Sequence, residues 1–322
     1  MLEFQYIGKE GDKMMTYGET FRYFRVNKGL TLKQVADEVN SVSLIGQFET
    51  NRSHISVERF VHLLDKIAVS YDEFQLKRQG TTRSPAAQRV HDFDYLTSIE
   101  TVIDAQGKHI SMPAWRAHLA ALAAENDREY NLRIDQTVQL NRYYDTPTDQ
   151  RPADALAGLQ YYLTQVDDWG QYEFSLYKHC IRGFPVDVAW RMLRNVGKKA
   201  ALMHSLPGYD EEICLVYFTA ITGFIVHGDL TKAWAAWRLA RDFCYTHSAT
   251  HSVMELPAMA GWITLHEGKE DQAKALFAET LSYYTQFHLT KLHDQWQEIL
   301  TGQIEAYHRH LPQFFVFVTP FE

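Results

Sequence analysis

The chain has 322 residues, of which 46% are hydrophobic and 22% charged, with a formal net charge of -8. This composition indicates a folded protein with room for one large domain or two smaller ones, and it argues against a disordered chain. No apolar run approaches the ~20 residues of a membrane span, and residues 1–13 mix charges where a secretory signal would be apolar. Because the three cysteines (180, 214 and 244) form no Cys-x-x-Cys motif and are odd in number, we expect buried, reduced thiols in a cytoplasmic protein without a membrane partner.

The N-terminal region predicts a flexible extension over residues 1–15 and a domain of five short helices over 16–78. Three capping boxes, in which Ser or Thr precedes Glu or Gln by three residues, mark helix starts. They are Thr16 with Glu19, Thr31 with Gln34, and Ser70 with Glu73. Gly29 stands where the first helix would end, Ser43 can cap the third helix and Ser56 the fourth.

The second and third helices carry the pattern of a helix-turn-helix. Apolar residues share one face of each helix: Val35, Ala36 and Val39 in the second, Val42, Ile45 and Phe48 in the third. Ala36 supplies the small side chain that closely crossing helices require, and Asn40 falls in the turn, where positive φ is tolerated. Ile45 and Phe48 would then anchor the third helix to the core.

That anchoring leaves one face of the third helix for the major groove of double-stranded DNA. The residues expected to project outward are Ser43, Leu44, Gln47 and Thr50. Gln47 can make a bidentate contact to adenine. The residues expected around this face, as phosphate contacts or at its edge, are Arg22, Arg25, Lys33, Gln34 and Arg52. The alternative is a small helical bundle without a role in DNA binding.

The charge distribution is compatible with DNA binding despite the negative total. Residues 17–80 contain nine Lys or Arg and eight Asp or Glu, whereas the chain from Thr81 onward contains 21 and 29. A nearly neutral first domain predicts modest, salt-sensitive nonspecific binding and reliance on two copies acting together.

Residues 17–76 resemble the DNA-binding domain of the Rgg-type (Rgg/GadR/MutR) transcriptional regulators, within the phage-repressor-like (XRE-like) class. The segments that carry the resemblance are GLTLKQVADEV, SVSLIGQFE and ISVERFVHLLDKIAVSYDEF, with Phe48-Glu49 ending the recognition helix. Two positions depart from the family pattern. Gly46 replaces a frequent Ser, at a cost of up to ~1 kcal/mol inside a helix, and Thr50-Asn51 replaces a basic residue followed by glycine.

Residues 79–85 predict a linker, and residues 86–322 an all-α solenoid of tetratricopeptide-like helix pairs, with strand-like alternation absent before the tail. The solenoid prediction depends on a 40-residue repeat. Gly228, Ala233, Ala235, Trp237 and Phe243 recur as Gly268, Ala273, Ala275, Phe277 and Tyr283, and Ala220 recurs as Ala260. Such arrays curve around a concave ligand-binding face. The apolar segment 314–321 is expected to pack on the last helices or across a dimer.

The family resemblance continues more weakly into this region, through the segment from Asp168 to Glu173 that opens a mid-domain helix. It implies a homodimer that binds a near-palindromic operator and holds a short signalling peptide in the helical repeats. Side chains that suit a peptide backbone, its carboxylate and its aromatic pockets are Asn141, Arg142, Tyr177, Tyr217 and Thr222.

Enzyme, cofactor and metal motifs are not evident in the sequence. His247 and His251 are four residues apart, a spacing that can bind a metal ion on a helix, but no carboxylate stands where it could complete the site, and Ser248 to Ser252 is expected to be a loop. His179 and Cys180 are adjacent and would point apart on a helix. We therefore expect no catalytic residue, no cofactor and no metal. Two alternatives remain open: a regulator that responds to a small molecule, pH or a protein partner, and a repeat scaffold that does not bind DNA.

Overall fold

The computed structural model describes residues 14–80, 89, 102–103, 109–110, 113–201, 203–206 and 208–310. The expected extension before Met14, most of the expected linker and the apolar segment 314–321 lie outside these residues. The chain divides into two compact units, Met1–Asp92 and Phe93–Glu322.

The first unit contains the five predicted helices. They are α1 (Tyr17–Asn27), α2 (Leu32–Val35), α3 (Val42–Glu49), α4 (Val57–Lys66) and α5 (Tyr71–Gln79). All three capping boxes are formed, and Ser56 caps α4 as predicted. Gly29 adopts φ 69° just after α1 and ends that helix. The N-cap of α3 is Ser41, whose Oγ accepts from the Leu44 amide, so the prediction of Ser43 as the cap was wrong.

The α2–α3 turn differs from the prediction because an aspartate competes with the helix for backbone amides. Asp37 Oδ1 accepts from the amides of Val39 and Asn40 at 3.0 and 2.9 Å. Such side-chain bonds to nearby amides favour a turn over a helix. Helix α2 therefore ends at Val35, and Val39 is 44% exposed. Asn40 does not take the expected positive φ; its side chain is buried and donates to the Arg59 carbonyl.

The core of the first unit holds α3 against α1. Ile45 and Phe48 are buried as predicted, together with Phe21, Phe60 and Phe74. Helix α1 approaches α3 so closely that a Cβ at Gly18 would lie 1.9 Å from the Phe48 carbonyl oxygen. The position of the recognition helix is thus fixed by apolar anchors and by this close backbone approach.

Within its described residues, the regular structure of the second unit is helical apart from one short antiparallel ladder, in which Val102 pairs with Ile110 and Ile103 with His109. Strands of two residues are too short to give a sequence alternation. The strands are β1 (Val102–Ile103) and β2 (His109–Ile110), and the helices are α6 (Pro113–Arg128), α7 (Leu132–Asp145), α8 (Ala157–Gln165), α9 (Gln171–Cys180), α10 (Val186–Leu193), α11 (Val196–Lys199), α12 (Tyr209–Val226), α13 (Leu230–His247), α14 (Thr250–His266), α15 (Glu270–Gln286) and α16 (Thr290–His308).

The 40-residue repeat corresponds to two successive helix pairs, α12 with α13 and α14 with α15. Gly228 and Gly268 take φ 74° and 79° in the turn within each pair. The turns that follow each pair repeat as well, because Ser248 and His288 have φ 56° and 57°. Of the repeated alanines, Ala233 and Ala273 are fully buried as expected, whereas Ala235 is half-buried and Ala275 is exposed. Consecutive helices from α12 to α16 pack on one another, which supports the prediction of helix pairs.

A large apolar core runs through the second unit. Trp169 is fully buried and donates from Nε1 to the Leu163 carbonyl, while Glu173 accepts from the Gly170 amide at the start of α9. The segment from Asp168 to Glu173 therefore opens a mid-domain helix, as predicted. The three cysteines are free and buried. Among the described helices, none combines the length and apolar character that a membrane span requires.

Candidate DNA-binding surface

Helix α3 presents a polar face opposite its apolar anchors. Ser43, Gln47 and Thr50 are exposed, whereas Ile45 and Phe48 are buried. Gln47 Nε2 donates to Ser43 Oγ at 3.3 Å, one helical turn earlier, which orients the amide along the exposed face. Leu44, the fourth residue expected to face the groove, is half-buried and so less exposed than the other three. The structure thus brings together the four side chains that the sequence assigned to this face.

Arg25 does not belong to this surface. Its Nε and Nη2 donate to the two carboxylate oxygens of Glu49 at 2.5 and 2.7 Å, and its Nη1 donates to the Leu30 carbonyl at 2.6 Å. Arg25 is 8% exposed and Glu49 5% exposed. The carboxylate raises the pKa of the Arg25 guanidinium further. The expectation that Arg25 meets a phosphate was wrong, because this guanidinium holds α1 to the end of α3.

The remaining basic candidates are exposed at the edges of the unit: Arg22 on α1, Lys33 on α2, and Arg52 after α3. Arg22 also borders a surface cleft of about 670 Å³ between α1 and the end of α3. Gln34 is exposed, and its side-chain oxygen accepts from the Thr31 amide in the capping box. Gln34 therefore has a structural role whether or not it also contacts DNA.

Sequence reasoning missed the contacts of two polar residues, Asn51 and Asp37, that shape the surface. Asn51 takes φ 59° and accepts from Thr16 Oγ1 at 2.7 Å. This left-handed conformation is one that asparagine tolerates. Asp37 lies 2.6 Å from His62 Nε2 and 3.0 Å from Lys66 Nζ, and these contacts hold the pKa of its carboxyl well below the usual range. The Asp37 contacts tie the α2–α3 turn to α4, and because His62 and Lys66 lie 25 and 29 positions away, no local pattern indicates them.

The residues proposed for peptide contacts are mostly in the core of the second unit. Asn141, Tyr177, Tyr217 and Thr222 are all buried. Asn141 donates to the Thr137 carbonyl, Tyr177 to the Ala189 carbonyl and Thr222 to the Thr219 carbonyl. Three of these side chains thus make hydrogen bonds within the fold and all four are buried, so the structure does not present them at a surface groove. Burial on a helix packed from several sides leaves no periodicity that would distinguish a core residue from a groove residue.

Arg142 is the peptide candidate that remains on the surface. It borders a cleft of about 270 Å³ together with Tyr143 and Arg151. The Arg151 guanidinium lies 4.6 Å from the Tyr143 ring centroid and donates to the carbonyls of Tyr143 and Thr146. The cleft is therefore lined by the exposed basic side chain of Arg142 and by the ring of Tyr143, against which the Arg151 guanidinium packs.

The geometry defines a helix-turn-helix DNA-binding unit followed by a helical-repeat unit. A helix-turn-helix family profile matches residues 21–74. The profile described as "HTH-type transcriptional regulator Rgg, C-terminal domain" matches residues 118–298, more than half of the chain. The chain belongs to the Rgg family of DNA-binding transcriptional regulators, which is not a family of enzymes.

Solved structures share this fold along nearly the whole chain. A candidate transcriptional regulator from Listeria monocytogenes EGD-e is 18% identical with a TM-score of 0.69, covering 93% of this chain and 100% of that one. The SHP pheromone receptor Rgg2 from Streptococcus dysgalactiae is 18% identical with a TM-score of 0.61, covering 89% and 99%. A PrgX/cCF10 complex is 11% identical with a TM-score of 0.58, covering 91% and 94%. At these identities the likeness concerns the fold.

Proposed function

We propose that this regulator acts as a homodimer whose two helix-turn-helix units read the half-sites of a near-palindromic operator, under the control of a short intracellular signalling peptide. The observation that carries the DNA-reading part is the exposed α3 face, with Gln47 and Ser43 joined by a hydrogen bond and held up by buried Ile45 and Phe48. A helix fixed in this way offers a side-chain amide that suits adenine in the major groove.

Arg22, Lys33 and Arg52 are proposed as phosphate contacts around that helix. Contacts of this kind position the domain without reading sequence, whereas a base contact distinguishes one sequence from another. Gln47→Ala is therefore expected to weaken operator binding by about 1–3 kcal/mol and to relax the preferred sequence at one position. Arg52→Ala is expected to weaken binding to all sequences alike and to reduce the salt dependence.

The direct experiment is selection of bound duplexes from genomic fragments by the purified full-length protein at near-physiological salt, followed by titration of the two variants. A two-fold-related motif in the selected fragments supports the dimeric reader, because an operator mirrors the symmetry of the protein that binds it. If Gln47→Ala and Arg52→Ala both leave affinity unchanged, α3 is not the recognition helix. Selection that enriches no motif, with and without added peptide, supports the scaffold alternative.

The peptide part of the proposal is supported by the family and by the fold that the chain shares with the SHP pheromone receptor Rgg2 and with PrgX in its cCF10 complex. Helical repeats form curved surfaces that suit extended ligands. Arg142, at the edge of the cleft near Tyr143, is the side chain we propose for a peptide carboxylate or backbone carbonyl. Peptide binding would favour one of two curvatures of the repeat unit and so set the operator affinity of the paired DNA-binding units.

A titration of operator-bound protein with short peptides encoded near the regulated genes tests this part separately from DNA binding. A peptide that shifts operator affinity in the wild type, and does so at least tenfold less effectively in Arg142→Ala, supports the proposal. An operator affinity that responds to pH, to a metabolite extract or to a protein fraction, and to none of these peptides, favours the alternative regulator.

A further inference from the structure

Three metal-ligating side chains meet at one end of the first repeat pair. His204 lies in a single 3-10 turn (Met203–Ser205), Asp210 in the first turn of α12, and His247 is the last residue of α13. Asp210 Oδ1 is 2.8 Å from His204 Nδ1 and 3.7 Å from His247 Nδ1. The ligand atoms of all three residues lie within 4.8 Å of one another.

We propose that His204, Asp210 and His247 form a binding site for a divalent transition-metal ion, with Zn²⁺ the preferred occupant. Zinc binds imidazole nitrogen and carboxylate oxygen at about 2.0–2.2 Å in tetrahedral geometry, so neighbouring ligand atoms stand roughly 3.3 Å apart. The observed separations of 2.8 and 3.7 Å lie on either side of that distance. Two nitrogens and one oxygen suit zinc and its neighbours in the transition series, whereas Mg²⁺ and Ca²⁺ prefer oxygen alone.

The Nδ1 atoms of both rings lie near the same carboxylate oxygen, Asp210 Oδ1. The His204 and His247 rings are stacked, 4.3 Å between centroids and 11° apart, and Phe243 stacks on His247 at 4.3 Å. The lone pairs of such rings lie in nearly parallel planes, so the two imidazoles must unstack and rotate before both nitrogens can bind one ion. The side chains of His204, Asp210 and His247 are 25%, 29% and 29% exposed, which gives a metal ion a route in and a water molecule room as the fourth ligand.

The site differs from the pair that the sequence spacing suggested. His247 ends α13, whereas His251 lies in α14 with its Nε2 3.1 Å from the buried Glu255. The two histidines are therefore on different helices, and the carboxylate that accompanies His247 comes from Asp210, 37 positions earlier in the chain. A sequence search for ligands on one helix could not find this set.

A bound ion would join the segment before α12 to the end of α13. Because the three ligands come from separate elements, an ion held by all of them binds the folded state far better than the unfolded chain. Binding of this kind raises the unfolding temperature in proportion to the logarithm of metal concentration over dissociation constant. The metal would thus stabilise the first helix pair of the 40-residue repeat.

The test is titration of the chelator-stripped, tag-free full-length protein with Zn²⁺, in competition with a chromophoric chelator. The variants are His204→Ala, His247→Ala and the nearly isosteric Asp210→Asn. His293→Ala is the matched control. This histidine also pairs with an aspartate, its neighbour Asp294, but both residues lie on α16, away from the three proposed ligands in the sequence. Loss of an outer-shell partner alone costs about 10- to 100-fold in metal affinity. We therefore expect one Zn²⁺ per wild-type chain, at least tenfold weaker binding in the three variants, and no change in the control.

Two further readouts keep the result independent of folding. Co²⁺ in a tetrahedral N,N,O site gives intense visible absorption, which should appear in the wild type and be lost in His247→Ala. Added Zn²⁺ should raise the unfolding temperature of the wild type and of His293→Ala, but not of Asp210→Asn, whose fold is checked by circular dichroism. The proposal is overturned if the wild type takes up no stoichiometric Zn²⁺, or if all three variants retain wild-type affinity. Either result would assign the cluster to a histidine stack that is hydrogen-bonded to Asp210.

Discussion

Replacing Arg25 by methionine should destabilise the DNA-binding unit strongly. The substitution leaves the Glu49 carboxylate, 5% exposed, without the two hydrogen bonds of 2.5 and 2.7 Å that now compensate for its burial. Removing one partner of a buried ion pair costs about 3–5 kcal/mol. A domain of this size has only ~3–10 kcal/mol of stability in total. Arg25→Met should therefore consume a large part of the stability that holds α1 to α3.

The assay is hydrogen exchange measured by mass spectrometry on the full-length protein, because it reports the opening of one unit within a larger chain. Exchange of the α1 and α3 amides should accelerate by roughly two to three and a half orders of magnitude, the equivalent of about 3–5 kcal/mol. The double variant Arg25→Met, Glu49→Leu removes both charges. It should return to within about 1–2 kcal/mol of the wild type, since apolar replacements of buried ion pairs are often neutral or better.

Arg22→Met is the matched control, because Arg22 lies on the same helix but is exposed. It should change stability by no more than about 0.5 kcal/mol while lowering operator affinity. The reasoning is refuted if Arg25→Met leaves amide exchange unchanged and weakens binding to all DNA sequences equally. That result would make Arg25 a phosphate contact after all.

Three further substitutions test the packing and the buried charge. Gly18→Ala places a Cβ 1.9 Å from the Phe48 carbonyl oxygen. This overlap should lower the free energy of opening of α1 and α3, as measured by amide exchange, by about 1–3 kcal/mol. Gly46→Ala, inside α3, meets only a side-chain atom at 3.7 Å. It should stabilise the same unit by ~0.5–1 kcal/mol, and equal effects at the two glycines would contradict this account. Burial is the main cause that raises the pKa of Glu255, and the nearby charge of Glu211 acts in the same direction. His251 and Tyr284 form hydrogen bonds to the carboxyl and act in the opposite direction. Since the folded state then holds the proton more tightly than the unfolded chain, stability is full at low pH and falls as pH rises through the raised pKa. Glu255→Gln should therefore unfold at a higher temperature than the wild type at pH 7. The difference between the two unfolding temperatures should vanish toward pH 4, and a difference that does not depend on pH would contradict this role of Glu255.

The helices of the first unit could be predicted because their signals are local. Each capping box lies within four residues, and the apolar spacing of Ile45 and Phe48 follows directly from the helical period. The length of α2 was overestimated for an equally local reason, since Asp37 binds amides that the helix would otherwise use. A prediction from apolar periodicity alone does not consider that an Asp side chain can bind nearby backbone amides and so favour a turn over a helix.

The roles of polar side chains were harder to predict because they depend on partners far along the chain. Arg25 follows buried Phe21 by four residues and so lies on the buried side of α1, unlike exposed Arg22, but this spacing does not indicate its partner, Glu49, 24 positions away. In the second unit the same limit applies to Asn141 and Tyr177, which have polar groups suited to a peptide but donate to backbone carbonyls within the core. A polar residue type indicates that a partner is needed, and only the fold determines whether that partner is a ligand.

The departure from the family pattern at Thr50-Asn51 can be understood from the backbone. The chain must reverse after α3, and Asn51 does so with φ 59°. In that region glycine is usual and asparagine is tolerated. The Asn51 side chain also accepts from Thr16 Oγ1, so the turn is tied to the N-cap of α1, a contact that glycine could not make. Thr50 in turn donates to the Gly46 carbonyl, where a basic residue would extend toward DNA. In the proposed DNA complex this substitution would replace a phosphate contact by internal hydrogen bonds, and more of the binding energy would then come from Arg52 and from the second copy of the proposed dimer.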